Sequence, residues 1–326
     1  MGLRAINNPV SVFADPYAST GAETTNVQTD PAEEIAWGGN RGIVGGGYYT
    51  GDLNSIEYVN IPTNGDTTDF GNLTRSSRNL AGCSSGTRGV FGGGEPSTNV
   101  MDYITIATTG DASDFGDLTE SRPGLTAASN STRGIFAGGE SPIQNTMDYI
   151  TIATTSSASD FGNLTVARYS FGGCSNGTRA VYCGGNAAPT GNASDIMDYV
   201  TIASAGDATD FGDMQNSRTG SGVTSDNTRG IIAGGNDGSA SNVIGYITIA
   251  STGDASDFGD LTQARYGNAA CSNSDRGLIW GGETGGAGSN VDVIDYVVIR
   301  TTGDASDFGD MTSDRHAAAS FSGGGY

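Results

Sequence analysis

The sequence predicts an all-β fold assembled from six repeats, and three observations carry that reading. A pattern recurs every 45–50 residues after about residue 31, the span of one supersecondary unit of a repeat architecture. Glycine supplies 53 of the 326 residues, often as doublets that end short apolar runs, whereas lysine is absent and glutamate occurs only eight times. Long helices are therefore disfavoured. Apolar residues also alternate at period two around a recurring tyrosine, as in Met101-Asp102-Tyr103-Ile104-Thr105-Ile106, the pattern of strands with one buried face.

Residues 1–31 stand outside the pattern. They run through Asn7-Asn8-Pro9, Asp15-Pro16-Tyr17 and a Ser/Thr/Gly/Ala stretch to Thr29, with too little hydrophobicity to fold alone. The expectation is an extended N-terminal arm that docks on a partner through Val10, Val12, Phe13 and Tyr17, for instance by strand addition. A frayed tail is the plainer alternative. Residues 32–326 are expected to form one domain.

Three landmarks organise that domain. An Arg opens a short apolar run ending in a Gly doublet, at Arg41, Arg88, Arg133, Arg179, Arg229 and Arg276. A tyrosine follows in an alternating segment, at Tyr58, Tyr103, Tyr149, Tyr199, Tyr246 and Tyr296. Then comes Asp-Phe-Gly, whose aromatics include Phe115, Phe161, Phe211, Phe258 and Phe308, and after it a second Arg at Arg78, Arg122, Arg168, Arg218, Arg265 or Arg315. This second Arg precedes the next landmark Arg by 10 or 11 residues. The regularity favours a structural role for both sets, each guanidinium bonding carboxylates or loop carbonyls between neighbouring repeats.

Within residues 122–168 the reading is four strands: Leu125 to Ser129 innermost, Gly134 to Ala137, Met147 to Ala153, and Phe161 to Thr165 outermost. One such sheet would leave both faces wet, so the units must stack around an axis. The Gly doublet, the Tyr on a third strand, the aromatic on a fourth and the Arg leading onward resemble kelch repeats over about nine tenths of the chain, with Phe where kelch blades typically carry Trp. The resemblance implies a six-bladed kelch-like β-propeller, and it constrains function weakly. Closure is expected from a C-terminal strand at His316 to Phe321 joining strands from residues 41–75; Ile35-Ala36-Trp37, within residues 32–40, competes for the same slot.

The composition excludes several functions. A net charge of −21 disfavours nucleic acid and anionic membrane surfaces. No apolar run is long enough to span a bilayer, and the first residues lack a signal-peptide core. The single histidine, His316, removes most Ser-His-Asp arrangements and the copper site of a galactose-oxidase-like enzyme. Cys83, Cys174 and Cys271 sit five residues before a landmark Arg and are expected as buried, unbridged thiols. The oxygen-rich loop Gly110 to Asp117 invites calcium, but it lacks EF-hand spacing and Ser157 replaces Asp111 in the next repeat. Turn formation explains it with less assumption, so no cofactor, metal or catalytic residue is expected.

The blade sequences also resemble kelch-like repeats of marine tailed bacteriophages. That resemblance implies a non-catalytic virion structural protein of capsid or tail, assembled in the host cytoplasm and anchored to other virion subunits in a homo- or hetero-oligomeric assembly by the arm. Host-surface glycans are a further expected partner, and a free carbohydrate-binding propeller is the alternative. The non-repeating loops Ala187 to Ser194 and Thr284 to Asn290 are where such specificity is expected.

Overall fold

The computed structural model describes residues 39–286 and 288–323. The proposed anchor residues Val10, Val12, Phe13 and Tyr17, and the competing Ile35-Ala36-Trp37, lie outside these. Among the described residues the chain is all-β with no helix, folded into seven antiparallel sheets, six of four strands and one of three. This arrangement is compatible with a propeller-like fold. No helix among the described residues is long and apolar enough to cross a membrane.

We number the four-stranded sheets 1 to 6 in chain order. Sheet 1 combines Ala319–Gly323, Arg41–Gly45, Ser55–Asn60 and Thr68–Asn72. Sheets 2 to 6 span residues 81–117, 126–163, 172–213, 222–260 and 269–310. In sheet 3 the strands are Thr126–Ser129, Arg133–Gly139, Gln144–Thr151 and Ser159–Asn163. The outermost strand thus starts before Phe161 and stops before Thr165. Its register slips between Met147 and Asp148, which pair with Gly162 and Asp160 and leave Phe161 bulged into the core. After Asn163 the chain turns away: Leu164 donates its N–H to Asn145 at 2.8 Å and Thr165 reaches Asp198 of sheet 4.

The Gly of Asp-Phe-Gly is required by close approach of backbone. At Gly162, with φ of 141°, a Cβ would stand 2.4 Å from the Gly206 carbonyl oxygen of the next sheet's loop. That loop covers the outer edge, where Gly206 and Ala208 donate to Phe161 and Asn163. An exposed strand edge is thereby occupied within the chain.

The apolar core lies between sheets. One cluster joins Val90, Met101 and Phe115 of sheet 2 to Phe136 and Ile150 of sheet 3; another joins Val44 and Val59 of sheet 1 to Leu278, Trp280 and Phe308 of sheet 6. Side chains from neighbouring sheets interdigitate through glycine: Cys83, Cys174 and Cys271 approach the Cβ positions of Gly134, Gly230 and Gly42 at 2.5, 2.8 and 3.0 Å. Each Cys is buried and unbridged.

Two cycles of hydrogen bonds tie the innermost strands together. At one end Asn79, Gly124, Ser170, Gly220, Gly267 and Ala317 each donate a backbone N–H to the carbonyl of the previous member, and Asn79 donates to Ala317, all at 2.7–2.8 Å. At the other end the hydroxyls of Ser84, Ser129, Ser175, Ser225, Ser272 and Ser322 each donate to the carbonyl of the previous serine, Ser84 to Ser322. The seam is the pairing of Ile43 with Phe321 inside sheet 1. His316 to Ala318, expected within that strand, instead precede it.

Candidate functional site

The repeated side chains are consumed by the framework. Arg41, Arg88, Arg133, Arg179, Arg229 and Arg276 each lie over the tyrosine of their own sheet, with guanidinium carbon to ring centroid distances of 4.1–4.5 Å. Each also donates Nη1 to an isoleucine carbonyl of the next sheet at 2.8–3.4 Å, Arg276 closing the series on Ile61. Behind them Tyr103, Tyr149 and Tyr199 meet Phe115, Phe161 and Phe211 edge-on at 6.0–6.1 Å, and Tyr246 and Tyr296 meet Phe258 and Phe308 likewise.

The second arginines are buried ion-pair partners. Arg122, Arg168 and Arg265 hold Asp148, Asp198 and Asp295 of the following sheet at 2.9, 2.6 and 3.2 Å, with both side chains of each pair shut from solvent. Arg315 holds Glu57 of sheet 1 in the same way. Arg78 does not belong to this set. The register position is Ser77, and Arg75 reaches Asp102 at 3.6 Å in its place. The one short interval in the series, 10 residues from Arg78 to Arg88 against 11 elsewhere, was the signal for this substitution.

The aspartates of the outer loops bridge sheets too. Asp66, Asp111, Asp207, Asp254 and Asp304 accept backbone N–H groups of Asp310, Asn72, Asn163, Asp213 and Asp260 at 2.9–3.1 Å. They bond the neighbouring sheet rather than their own turn. Among the described residues no three His, Cys, Asp or Glu side chains converge to hold a metal ion.

What remains is a crown of non-repeating side chains around the first of the two cycles. The innermost strands open there onto a cavity of about 140 Å³. Above it, the residue after each Gly doublet hydrogen-bonds the residue after each buried Arg position through the backbone: Tyr48 with His316, Glu95 with Arg78, Glu140 with Pro123, Asn236 with Thr219 and Glu283 with Tyr266. Asn186 pairs with Tyr169 in the three-stranded sheet, whose hairpin Asn186–Ala187 and Asn192–Ala193 comes from the long loop singled out in the sequence.

The backbone of the crown repeats while its side chains differ. Arg78 is clamped by Asp52 at 2.6 Å and Glu95 at 3.0 Å, and its guanidinium lies 4.8 Å above the Tyr48 ring. Tyr48 packs against His316 at 5.6 Å, and His316 Nδ1 meets Asn290 Oδ1 at 2.8 Å. Burial pushes the His316 imidazole down, with Arg78 adding to that and Glu283 opposing it. Burial and the nearby Glu95 push the Glu140 carboxyl up, and burial and a hydrogen bond with Glu283 push the Tyr266 phenol up. Tyr49 stands 44 % exposed beside them. The crown offers flat aromatic rings beside carboxylates and amides on a rigid base, a combination that can stack on and accept hydrogen bonds from a polyhydroxylated ligand. Its position next to the most regular residues is the one sequence signal that marks it. No family model and no curated protein matches the chain.

Proposed function

We propose that the chain is a six-bladed kelch-like β-propeller acting as a non-catalytic structural protein of a bacteriophage virion, its residues 1–31 anchoring it to other virion subunits and its crown facing outward. The observation that carries the non-catalytic reading is the division of labour among side chains. Arginines and aspartates that recur with the period are spent on inter-sheet bonds and the recurring tyrosines on stacking within their own sheets, and the side chains that vary sit together at one mouth. A rigid scaffold with one variable face suits recognition. Six sheets linked by two cyclic hydrogen-bond series support the blade count. The virion assignment rests on the resemblance of the repeats and on the composition of residues 1–31. Particles assembled with a chain lacking residues 1–31 are expected to lose the protein; undiminished incorporation would overturn the anchoring role.

A second reading, a free carbohydrate-binding propeller, is favoured by Tyr48, Tyr169 and Tyr266 standing among Glu95, Glu140 and Glu283 at the crown. Glycan-array binding by the soluble chain, lost on Tyr266→Ala, would favour it. Absence of binding in the soluble chain together with incorporation into particles supports the virion reading.

A further inference from the structure

Five of the six sheets carry a carboxylate at one position of the third strand: Glu57, Asp102, Asp148, Asp198 and Asp295. A Thr after the preceding sheet's outermost strand donates both its backbone N–H and its hydroxyl to that carboxylate, as Thr119 does to Asp148 at 3.1 and 2.6 Å and Thr262 to Asp295 at 3.0 and 2.6 Å. In four of the five an Arg adds its Nη2. Sheet 5 departs twice at once: Gly245 stands where the carboxylate stands, and Gln215 where the Thr stands.

The arginine nevertheless stays in place. Arg218 is 1 % exposed and donates Nη1 to Gly234 and Val243 carbonyls at 3.0 and 2.8 Å. Arg168 uses the same two bonds, to Gly184 and Ile196 at 3.0 and 2.5 Å, while aiming Nη2 at Asp198. Arg218 Nη2 finds no acceptor among the described residues. The Gln215 N–H, equivalent to the Thr N–H that each carboxylate accepts, makes no hydrogen bond to them either. A Cβ added at Gly245 would meet Gln215 Oε1, the far end of an exposed and flexible side chain, at 3.0 Å and nothing else closer than 3.6 Å, so only that side chain has to give for the place of the missing carboxylate to be filled. Burial pushes the Arg218 guanidinium down from its ordinary value, but an Arg keeps its proton at any ordinary pH. The exposed Asp237 opposes that shift without contacting the guanidinium; a buried cation with no carboxylate bonded to it is unfavourable, and a water molecule satisfies a donor without neutralising it.

We propose that sheet 5 binds a small monovalent anion of the chloride or formate class beside Gly245, held by Arg218 Nη2 and the Gln215 N–H and capped by the Gln215 side chain. The anion takes the part that an aspartate or glutamate plays in the other sheets. The test is thermal unfolding of the full chain while sodium chloride replaces sodium gluconate, an anion too bulky for the space, at constant ionic strength. A saturating rise in Tm of about 2 °C or more is expected. Gly245→Asp is expected to raise Tm in gluconate and to remove the chloride response. An unaltered chain that melts identically in both salts, or a Gly245→Asp chain with an undiminished chloride response, overturns the proposal. Should that variant fail to fold, crystals of the unaltered chain grown in bromide decide the matter. An anomalous peak within hydrogen-bonding reach of Arg218 Nη2 supports the site; the Gln215 amide or water alone there overturns it.

Discussion

Asn79 donates its backbone N–H to the carbonyl of Ala317 at 2.8 Å, joining the innermost strands of the earliest and latest parts of the described chain. The same backbone bond links every other neighbouring pair of innermost strands, so the series of bonds runs unbroken from the last of them back to the first. Both partners adopt left-handed backbone, φ 54° at Asn79 and 55° at Ala317, where three of the other four sheets place Gly. The geometry is imposed by the cycle rather than by the residue. Because each core cluster is shared by two neighbouring sheets, weakening one interface is expected to weaken both sheets that line it.

Gly89 is opposed by the ring of Phe321, which would stand 1.9 Å from an added Cβ. Gly89→Ala is therefore expected to destabilise the protein by about 1–3 kcal/mol through overpacking. The chevron or urea midpoint measures it, and the cost should fall away in a Gly89→Ala/Phe321→Leu double variant.

Glu57 and Arg315 are a buried pair at the seam, 1 % and 0 % exposed in their side chains. Glu57→Gln leaves the guanidinium without its counter-charge and is expected to cost about 3–5 kcal/mol, read from equilibrium denaturation. A change below about 1 kcal/mol would mean that the pair is solvated and the seam open.

The thiols of Cys83 and Cys271 are pushed up to about 12 by burial. Reactivity requires the thiolate. At pH 8 the native chain is expected to leave its four cysteines untouched by an aromatic disulfide reagent, and the denatured chain to react fully. Prompt reaction in the native state would show that the inter-sheet spaces admit solvent.

His316 is the one histidine of the chain, and burial lowers its folded-state pKa below the ordinary 6.5. The unfolded chain then binds more protons in the window just below 6.5, so the stability contributed by the neutral imidazole is present above that pH and is lost as pH falls through the lowered value. Proton NMR of the sole imidazole should show a midpoint below 6.5, and His316→Gln should flatten the stability profile in that window. A midpoint at the ordinary 6.5 would place the ring in solvent, and one above it would mean that Glu283 outweighs burial.

Much of the framework could be read in the sequence because it repeats. The Gly doublets marked the ends of the second strands, and the landmark Arg, Tyr and Phe marked the residues that stack on one another. Bounds were less legible where tertiary contact sets them. The outermost strand of sheet 3 ends at Asn163 because Thr165 must reach Asp198, a contact with no local sequence signal. Arg78 lies one residue past the buried position, and its interval of 10 residues to Arg88, against 11 in the other repeats, is the only mark of this in the sequence. The crown was harder to read for the opposite reason: its residues vary from repeat to repeat, and it is the series of backbone bonds that gathers Tyr48, Arg78, Glu140, Tyr169, Asn236 and Tyr266 around one mouth.

Arg41–Gly45 pairs with Ala319–Gly323, bringing the two ends of the described chain into one sheet. Native-state hydrogen exchange tests it most directly, because a closed series has no frayed end. The paired amides of these two strands should open with the same free energy as those of the Gly172–Ser175 and Arg179–Cys183 pair in sheet 4. Seam amides exchanging more than about tenfold faster than those of sheet 4 would contradict it, for the chain would then behave as an open stack with a loose terminal strand.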